Sequence, residues 1–262
     1  MDIRDHNRLA WDNEVTKGNP WTVPFGPEII AAARQGNWEV YLTPSRPVPR
    51  AWMPPLENCD LLCLAGGGGQ QGPLMAAAGA RVTILDNSPG QLANDRMVAE
   101  REGLQLVTVE GDMADMSILQ DDSFDLIINP VSNVFAPDLQ PIWREAWRVL
   151  RPGGILLVGF DNPVVHSFDW SLVEQKGELR VIHKLPWSDS EDLEEEQLQQ
   201  YQQNKTPLEF SHSLETQIGG QTAAGFAITG LFEDRYPPEA DDPVSRYLPH
   251  FIVTRAMKSS VR

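Results

Sequence analysis

Apolar positions change their period along the chain. Five uninterrupted apolar runs stand out: LLCLA at 61–65, RVTILD at 81–86, LQLVTVEGD at 104–112, FDLIINP at 124–130 and GILLVGF at 154–160. Runs of this kind suit strands buried on both faces of a parallel sheet. Between them the period lengthens. Ser88-Pro89 is a helix start and Gly103 a stop, with Leu92, Ala93, Met97 and Ala99 expected on the buried face. The stretch 138–150 places Leu139, Ile142, Trp143, Ala146, Trp147 and Leu150 three and four apart, an apolar helical stripe. Arg151-Pro152-Gly153-Gly154 is then expected to break that helix and turn the chain into the fifth strand. Alternating strand and helix with right-handed crossovers predicts a doubly wound α/β sheet over residues 58–160.

The flanks read differently. Residues 1–57 are proline-rich and hold Trp11, Trp21, Trp38 and Trp52, four of the eight tryptophans. The pattern predicts helices over 5–15 and 27–35, the second opened by Gly26-Pro27 and stopped by Gly36, then an extended connector over 43–55. The whole piece is expected to lie as a cap on the main domain. Residues 161–205 break the βα rhythm and include an acidic run, with six acids in the eight residues 189–196. Such a run is ordinarily a solvated helix face or a mobile loop. Following a strand at its carboxyl end, the segment is also positioned as a lid or substrate insertion. Residues 206–262 are expected to complete the sheet: a helix over 213–225 weakened by Gly219-Gly220, then strands over 227–236 and 250–257.

Charge narrows the partners. With 37 acidic and 21 basic residues the formal net charge is −16. Such a surface repels phosphate backbones and anionic lipid, so neither a nucleic acid nor a membrane is expected, and a small neutral or cationic molecule fits better. The charged start MDIRDHNRLAWD has no apolar core of a signal peptide, and no run reaches the ~18 apolar residues of a span. Cys59 and Cys63 show no metal-ligand spacing with histidine and read as small buried apolar residues in a reducing cytoplasm. The pattern carries no signal for an oligomeric state.

The most informative stretch is LCLAGGGGQQG at 62–72, between the first strand and a helix. Glycines there let the backbone turn sharply and approach a ligand, and the helix start offers free N–H groups. Asp86 closes the second strand, where a carboxylate can accept from both ribose hydroxyls of a nucleoside. Spacing alone leaves three readings. Gly67, Gly69 and Gly72 satisfy GxGxxG with Asp86 19 residues after Gly67, which also fits a dinucleotide site. A merely tight strand–helix turn fits too. Gly111-Asp112-Met113 ends the third strand with an acid that can take an adenine amine and an apolar side chain that can pack on the ring, or with a turn carboxylate that caps the next helix. Asn129 and Ser132, around Pro130, either face the crevice or build a turn.

Taken together, LCLAGGGG, ILDNS, GDM, FDLIINP and WREAWRVLRPGGILLVGF resemble the successive motifs of class I S-adenosylmethionine-dependent methyltransferases. The resemblance covers about residues 58–160, with weaker agreement over 206–257. It implies a Rossmann-like, mostly parallel, seven-stranded sheet whose last strand is antiparallel and inserted beside the fifth. It implies S-adenosylmethionine as cofactor and S-adenosylhomocysteine as product. Ala65, Gly66, Gly67, Gly68 and Gly69 would line the methionine portion, Asp86 and Asn87 the ribose, Asp112 and Met113 the adenine, and Asn129 onwards would face the sulfonium. Two positions depart from the family pattern. Cys63 stands where the family has an acid, and Ala65 where it has the loop's first glycine. The methionine end is then left to backbone groups or to the cap, with Gln70 and Gln71 as candidates to compensate.

Methyl transfer demands positioning and desolvation, and a general base only when the acceptor must lose a proton. No fixed catalytic signature is therefore expected. Of the five histidines, His166 and His212 flank the insertion and are the candidates for reaching the crevice. Asn129-Pro130 is similar to the start of the tetrapeptide of amino-methylating enzymes. Val131-Ser132 follows without the aromatic residue, so methylation of DNA nitrogen is not implied. Tryptophans outside the sheet either pack the cap or line an acceptor pocket. The expected activity is methyl transfer to a small molecule. A nicotinamide-dependent reductase using the same loop, or a non-catalytic nucleoside-binding protein, are the alternatives.

Overall fold

A computed structural model describes residues 1–259. The five apolar runs form β1 (Asp60–Leu64), β2 (Arg81–Asp86), β3 (Leu106–Glu110), β4 (Phe124–Asn129) and β5 (Leu150–Asp161), joined by β6 (Phe226–Asp234) and β7 (Phe251–Lys258). They make one seven-stranded sheet in the order β3-β2-β1-β4-β5-β7-β6. Neighbours from β3 to β5 pair in parallel, and β7 runs antiparallel to both β5 and β6. This is the topology that the sequence resemblance implied. Side chains alternate between two cores. Leu61, Cys63, Ile84, Leu126, Ile128 and Leu157 enter one; Leu62, Leu64, Leu85, Ile127, Leu156 and Val158 enter the other. Both faces are covered, which is why the strands read as unbroken apolar runs. Strand order reverses between β1 and β4, so a crevice opens beyond their carboxyl ends.

Helices α3 (Gln71–Ala77), α4 (Pro89–Glu102) and α5 (Gln140–Val149) connect the parallel strands. The start and stop signals of α4 act as expected: the Ser88 side chain accepts from the Gln91 N–H, and Gly103 takes a left-handed φ of 64°. Its buried face is different from the expected one. Ala93 and Met97 are exposed, and Gln91, Leu92, Asp95, Val98 and Ala99 are buried. The strand after α5 also differs. β5 begins at Leu150, pairs there with Phe124, and the register then shifts to Leu126↔Ile155. Arg151–Gly154 is thus an irregularity inside the strand, with Gly153 at φ 82°, and the turn expected between helix and strand is absent. The third strand stops at Glu110, leaving Gly111 and Asp112 to the loop. The expected helix at 213–225 is a π turn over Glu215–Gly219 followed by the short helix Gly220–Ala223. The Trp143 indole N–H donates to the Thr216 carbonyl inside that widened turn.

The N-terminal segment forms α1 (Ile3–Lys17) and α2 (Pro27–Arg34). Asp12 of α1 docks on the start of α4: its Oδ1 accepts from the Ser88 hydroxyl at 2.7 Å and the Gly90 N–H at 2.9 Å. A carboxylate at free helix N–H groups is favourable. After β5 the chain forms α6 (Trp170–Lys176), α7 (Asp189–Asp192) and α8 (Glu195–Asn204). Five acids of the acidic run are exposed, four on α7 and α8 and Glu194 between them; Asp189 is buried. Residues 260–262, the end of the last expected segment, lie outside the described residues. No helix among the described residues is long and apolar enough to cross a membrane.

Candidate active site

A continuous cavity of about 1810 Å³ occupies the crevice. Single-ligand pockets are commonly about 300–1,000 Å³, so there is room for two molecules side by side. The N-terminal segment and the 161–209 segment supply much of its wall.

One half lies beyond β1, β2 and β3. Ala65, Gly66, Gly67, Asp86, Asn87, Asp112 and Met113 all line it. The loop after β1 is shaped by backbone and by two polar side chains of α4. The Gly68 N–H donates to Gln91 Oε1 at 2.8 Å, and the Gly69 N–H to Asp95 Oδ1 at 2.8 Å. Gly68 and Gly69 are therefore held from behind and do not line the cavity. The N-terminal segment grips the same loop. The Phe25 N–H donates to the Gly69 carbonyl at 3.0 Å, and the Gln70 amide to the Pro20 and Val23 carbonyls at 3.1 and 2.8 Å. At Gly67, φ is 72° and an added Cβ would meet the Trp21 carbonyl oxygen at 3.0 Å. Ala65, where the family has glycine, takes the same left-handed region at φ 46°.

Asp86 is buried, and its Oδ1 accepts from the Ser88 N–H at 2.8 Å. Burial pushes its carboxyl up to about 7, against the Ser88 bond that works the other way. Burial likewise pushes Asp95 up to about 8, although the Gly69 N–H opposes it. Asp112 takes the turn role and also faces the cavity. Its Oδ1 accepts from the Ala114 N–H at 2.9 Å as a turn carboxylate, while Oδ2 lies 3.7 Å from Arg4 on the cavity wall. Cys63 is fully buried in the core, where desolvation holds its thiol neutral. Gln71 lines the cavity and donates to the Tyr41 carbonyl, but its own Oε1 is buried without a donor.

The other half lies beyond β4 and β5. Asn129 does not reach it. It is fully buried, accepting from the Ser132 hydroxyl at 2.6 Å and donating to Asn133, which donates in turn to Gln217. Its position builds the turn that presents Pro130, Val131 and Ser132 to the cavity. His166 lines the cavity with its Nε2 3.5 Å from Asp161 Oδ2. Burial opposes a charged imidazole there, but Asp161, helped by Glu209 and Asp189, outweighs it and raises its pKa. His212 stays out of the cavity, bonded through Nε2 to the Ala136 carbonyl. Trp11, Trp21, Trp170 and Trp187 join the wall.

Sequence reasoning missed Gln91, Asp95 and Glu209. For the first two a signal existed: polar residues four apart, flanking Leu92 and Val98 on the face that packs inward. Glu209 belongs to an irregular segment and has no local signature.

This sheet order, with a glycine loop and strand-end carboxylates at its switch point, defines the class I methyltransferase fold. A methyltransferase-domain family matches residues 62–158. The chain is 49% identical over 253 residues, 97% of each protein, to an uncharacterized methyltransferase, YbaJ, of Bacillus subtilis. It belongs to the class I S-adenosylmethionine-dependent methyltransferases. Over 98 residues, 37% of this chain and 25% of that protein, it is 38% identical to a sterol 24-C-methyltransferase of Aspergillus fumigatus. Among solved structures, an S-adenosylmethionine-dependent methyltransferase from Mesorhizobium loti superposes with a TM-score of 0.63 at 20% identity, over 80% of this chain and 95% of that one. That last likeness is one of fold. Family membership implies the sulfonium over the dinucleotide at the glycine loop.

Proposed function

We propose that this protein transfers a methyl group from S-adenosylmethionine to a small-molecule acceptor, in the cytoplasm, a compartment that its free buried cysteines fit. The observation that carries this reading is the left-handed glycine loop facing the buried Asp86 across one cavity wall. The residues present fit the cofactor. Ala65 and Gly67 bring left-handed backbone to the cavity wall, and Gln71 Oε1 is an orphan acceptor beside the loop. Buried unpaired acceptors are uncommon, and a ligand's amino group would satisfy this one. Asp86 would take the ribose hydroxyls, with Asn87 beside it. Asp112 and Met113 would hold the adenine, and Ala65, Gly66 and Gly67 the methionine end.

Bound there, the sulfonium supplies an activated methyl carbon. The chain's own work is orientation and exclusion of water. The N-terminal segment closes the loop from above, and Trp21 and Phe25 supply apolar wall. The sterol enzymes match only the cofactor portion, so their acceptor does not carry over.

Calorimetric titration with S-adenosylmethionine, S-adenosylhomocysteine and NADH tests the reading. Micromolar binding of the sulfur nucleosides, with none of NADH, is expected. Binding of NADH alone would overturn it. Tight binding without turnover of any acceptor class would favour the non-catalytic alternative.

A further inference from the structure

The acceptor half of the cavity carries an unused charge. Residues 208–210 run beside the turn after β4, with the Phe210 N–H donating to the Val134 carbonyl at 2.7 Å. Leu208 and Phe210 point into the protein, and Glu209 between them points the other way, into the cavity. Its backbone is fixed on both sides: the Glu209 N–H donates to Asp189 Oδ2 at 2.8 Å, and the Asp189 N–H to the Glu209 carbonyl at 3.0 Å. Its side chain is open to the cavity, and its carboxylate accepts no hydrogen bond and forms no ion pair among the described residues. Neighbouring carboxylates are spoken for. Asp161 faces His166, and Asp189 accepts from the Trp187 indole at 2.8 Å and from the Glu209 N–H. Trp170, Trp187 and Tyr236 give the same wall aromatic surface among its polar groups.

A carboxylate that the protein leaves unpaired on a cavity wall is available to a cationic ligand, with which it makes a charge-assisted hydrogen bond. Aromatic faces around it favour a cation on an apolar body over a neutral or anionic molecule. Resting on the methyltransferase reading, we infer that the acceptor is a small molecule bearing a primary or secondary amine on an apolar frame, and that Glu209 binds its ammonium and takes its proton.

The balance closes with the cofactor as the one co-reactant. The ammonium N–H proton passes to the Glu209 carboxylate, which becomes the neutral acid. The freed nitrogen lone pair forms the N–C bond as the C–S bond breaks, its electron pair staying on sulfur. The positive charge of the sulfonium thus reappears on the methylated ammonium. Burial pushes Glu209 up to about 7, with His166 pulling it down and Asp161 and Asp189 pushing it up. A carboxyl so poised exchanges a proton near neutrality. The net charge of −16 adds long-range attraction for a cation.

The test uses the full chain saturated with S-adenosylhomocysteine. It is titrated calorimetrically with matched probes: 2-phenylethylamine against 2-phenylethanol and 3-phenylpropanoate, and hexylamine against hexanol. Each amine is expected to bind at least tenfold tighter than its alcohol, and the carboxylate not to bind. Glu209→Gln is expected to lose at least tenfold for the amines and to keep wild-type affinity for S-adenosylhomocysteine, which also reports its folding. Amine binding near pH 7 in two buffers of different ionisation heat should show proton release to the buffer as the part-protonated Glu209 pairs with the ammonium, a release that Glu209→Gln lacks. Equal binding of amines and alcohols, no binding of any probe, or an unchanged Glu209→Gln overturns the amine reading alone. Failure of S-adenosylhomocysteine to bind the wild type overturns the methyltransferase reading, and this one with it.

Discussion

The two halves of the cavity are built on opposite principles. Beyond β1 to β3 the carboxylates are spent on the protein itself: Asp86 on the Ser88 N–H, Asp95 on the Gly69 N–H, Asp12 on the start of α4. They fix a backbone shape into which a ligand of known outline fits. Beyond β4 and β5, Glu209 is left without a partner, on a wall that includes Trp170, Trp187 and Tyr236. The first half has most of its shape fixed before a ligand arrives. The second is completed by one. Rigid preorganisation suits a cofactor shared by a whole family, and open valences suit an acceptor that differs from member to member.

The largest test of this division is Gly67→Val. A Cβ at φ 72° beside the Trp21 carbonyl has no room to relax, so S-adenosylhomocysteine affinity should fall at least a hundredfold in calorimetry. A folded variant with normal affinity would remove the loop from the site. Asp86→Ala comes next, with an expected loss of roughly 1–3 kcal/mol of cofactor affinity as ligand hydroxyls go unpaired. Retained affinity in a folded Asp86→Ala protein would show that the rigid half does not depend on its ribose carboxylate.

The third test is a pH series. Asp95 titrates near 8 in the folded chain, above its usual 3.8. Between those values the unfolded chain releases a proton that the folded one keeps, so stability is lost as pH rises from about 4 to 8. Asp95→Asn keeps an acceptor for the Gly69 N–H and removes this loss. Its melting temperature should match wild type at pH 4 and exceed it by a few degrees at pH 9, about 1–2 kcal/mol once screening by cavity solvent is allowed for. Equal melting at both pH values would mean that Asp95 is not held neutral. The smallest effect is Ala65→Gly. Relief of a left-handed alanine, roughly 1 kcal/mol, is partly offset by the added freedom of the unfolded chain, so thermal melts should rise by about 1–2 °C. A fall would mean that the alanine is unstrained.

The central strands were legible because each is covered on both faces and so carries an unbroken apolar run; LLCLA and FDLIINP need no context to be read. Local signals also brought the glycine loop, Asp86 and Asp112 to notice, since each sits at or just past the carboxyl end of a strand. What escaped was set by distant partners. The buried face of α4 was misjudged because Gln91 and Asp95 point inward to hold backbone N–H groups 23 and 26 residues away, and apolar periodicity gives polar residues no place on that face. Asn129 was expected at the sulfonium but is committed to Ser132 and Asn133. Glu209 depends on a pairing with Asp189 that no spacing announces. The fifth strand began early because Leu150 already bonds beside Phe124, which let the sheet absorb Arg151–Gly154.

The grip of the N-terminal segment on the glycine loop is made largely by main-chain atoms. The Pro20, Thr22, Val23 and Phe25 carbonyls and the Phe25 N–H engage Gln70, Asn94, Arg101 and Gly69. Every amino acid has the same carbonyl, so this latch is blind to the side chains that bear it. Evolutionary drift can therefore rewrite residues 20–25 while the closure survives, and the cap is free to be retuned for a new acceptor without renegotiating its hold on the loop.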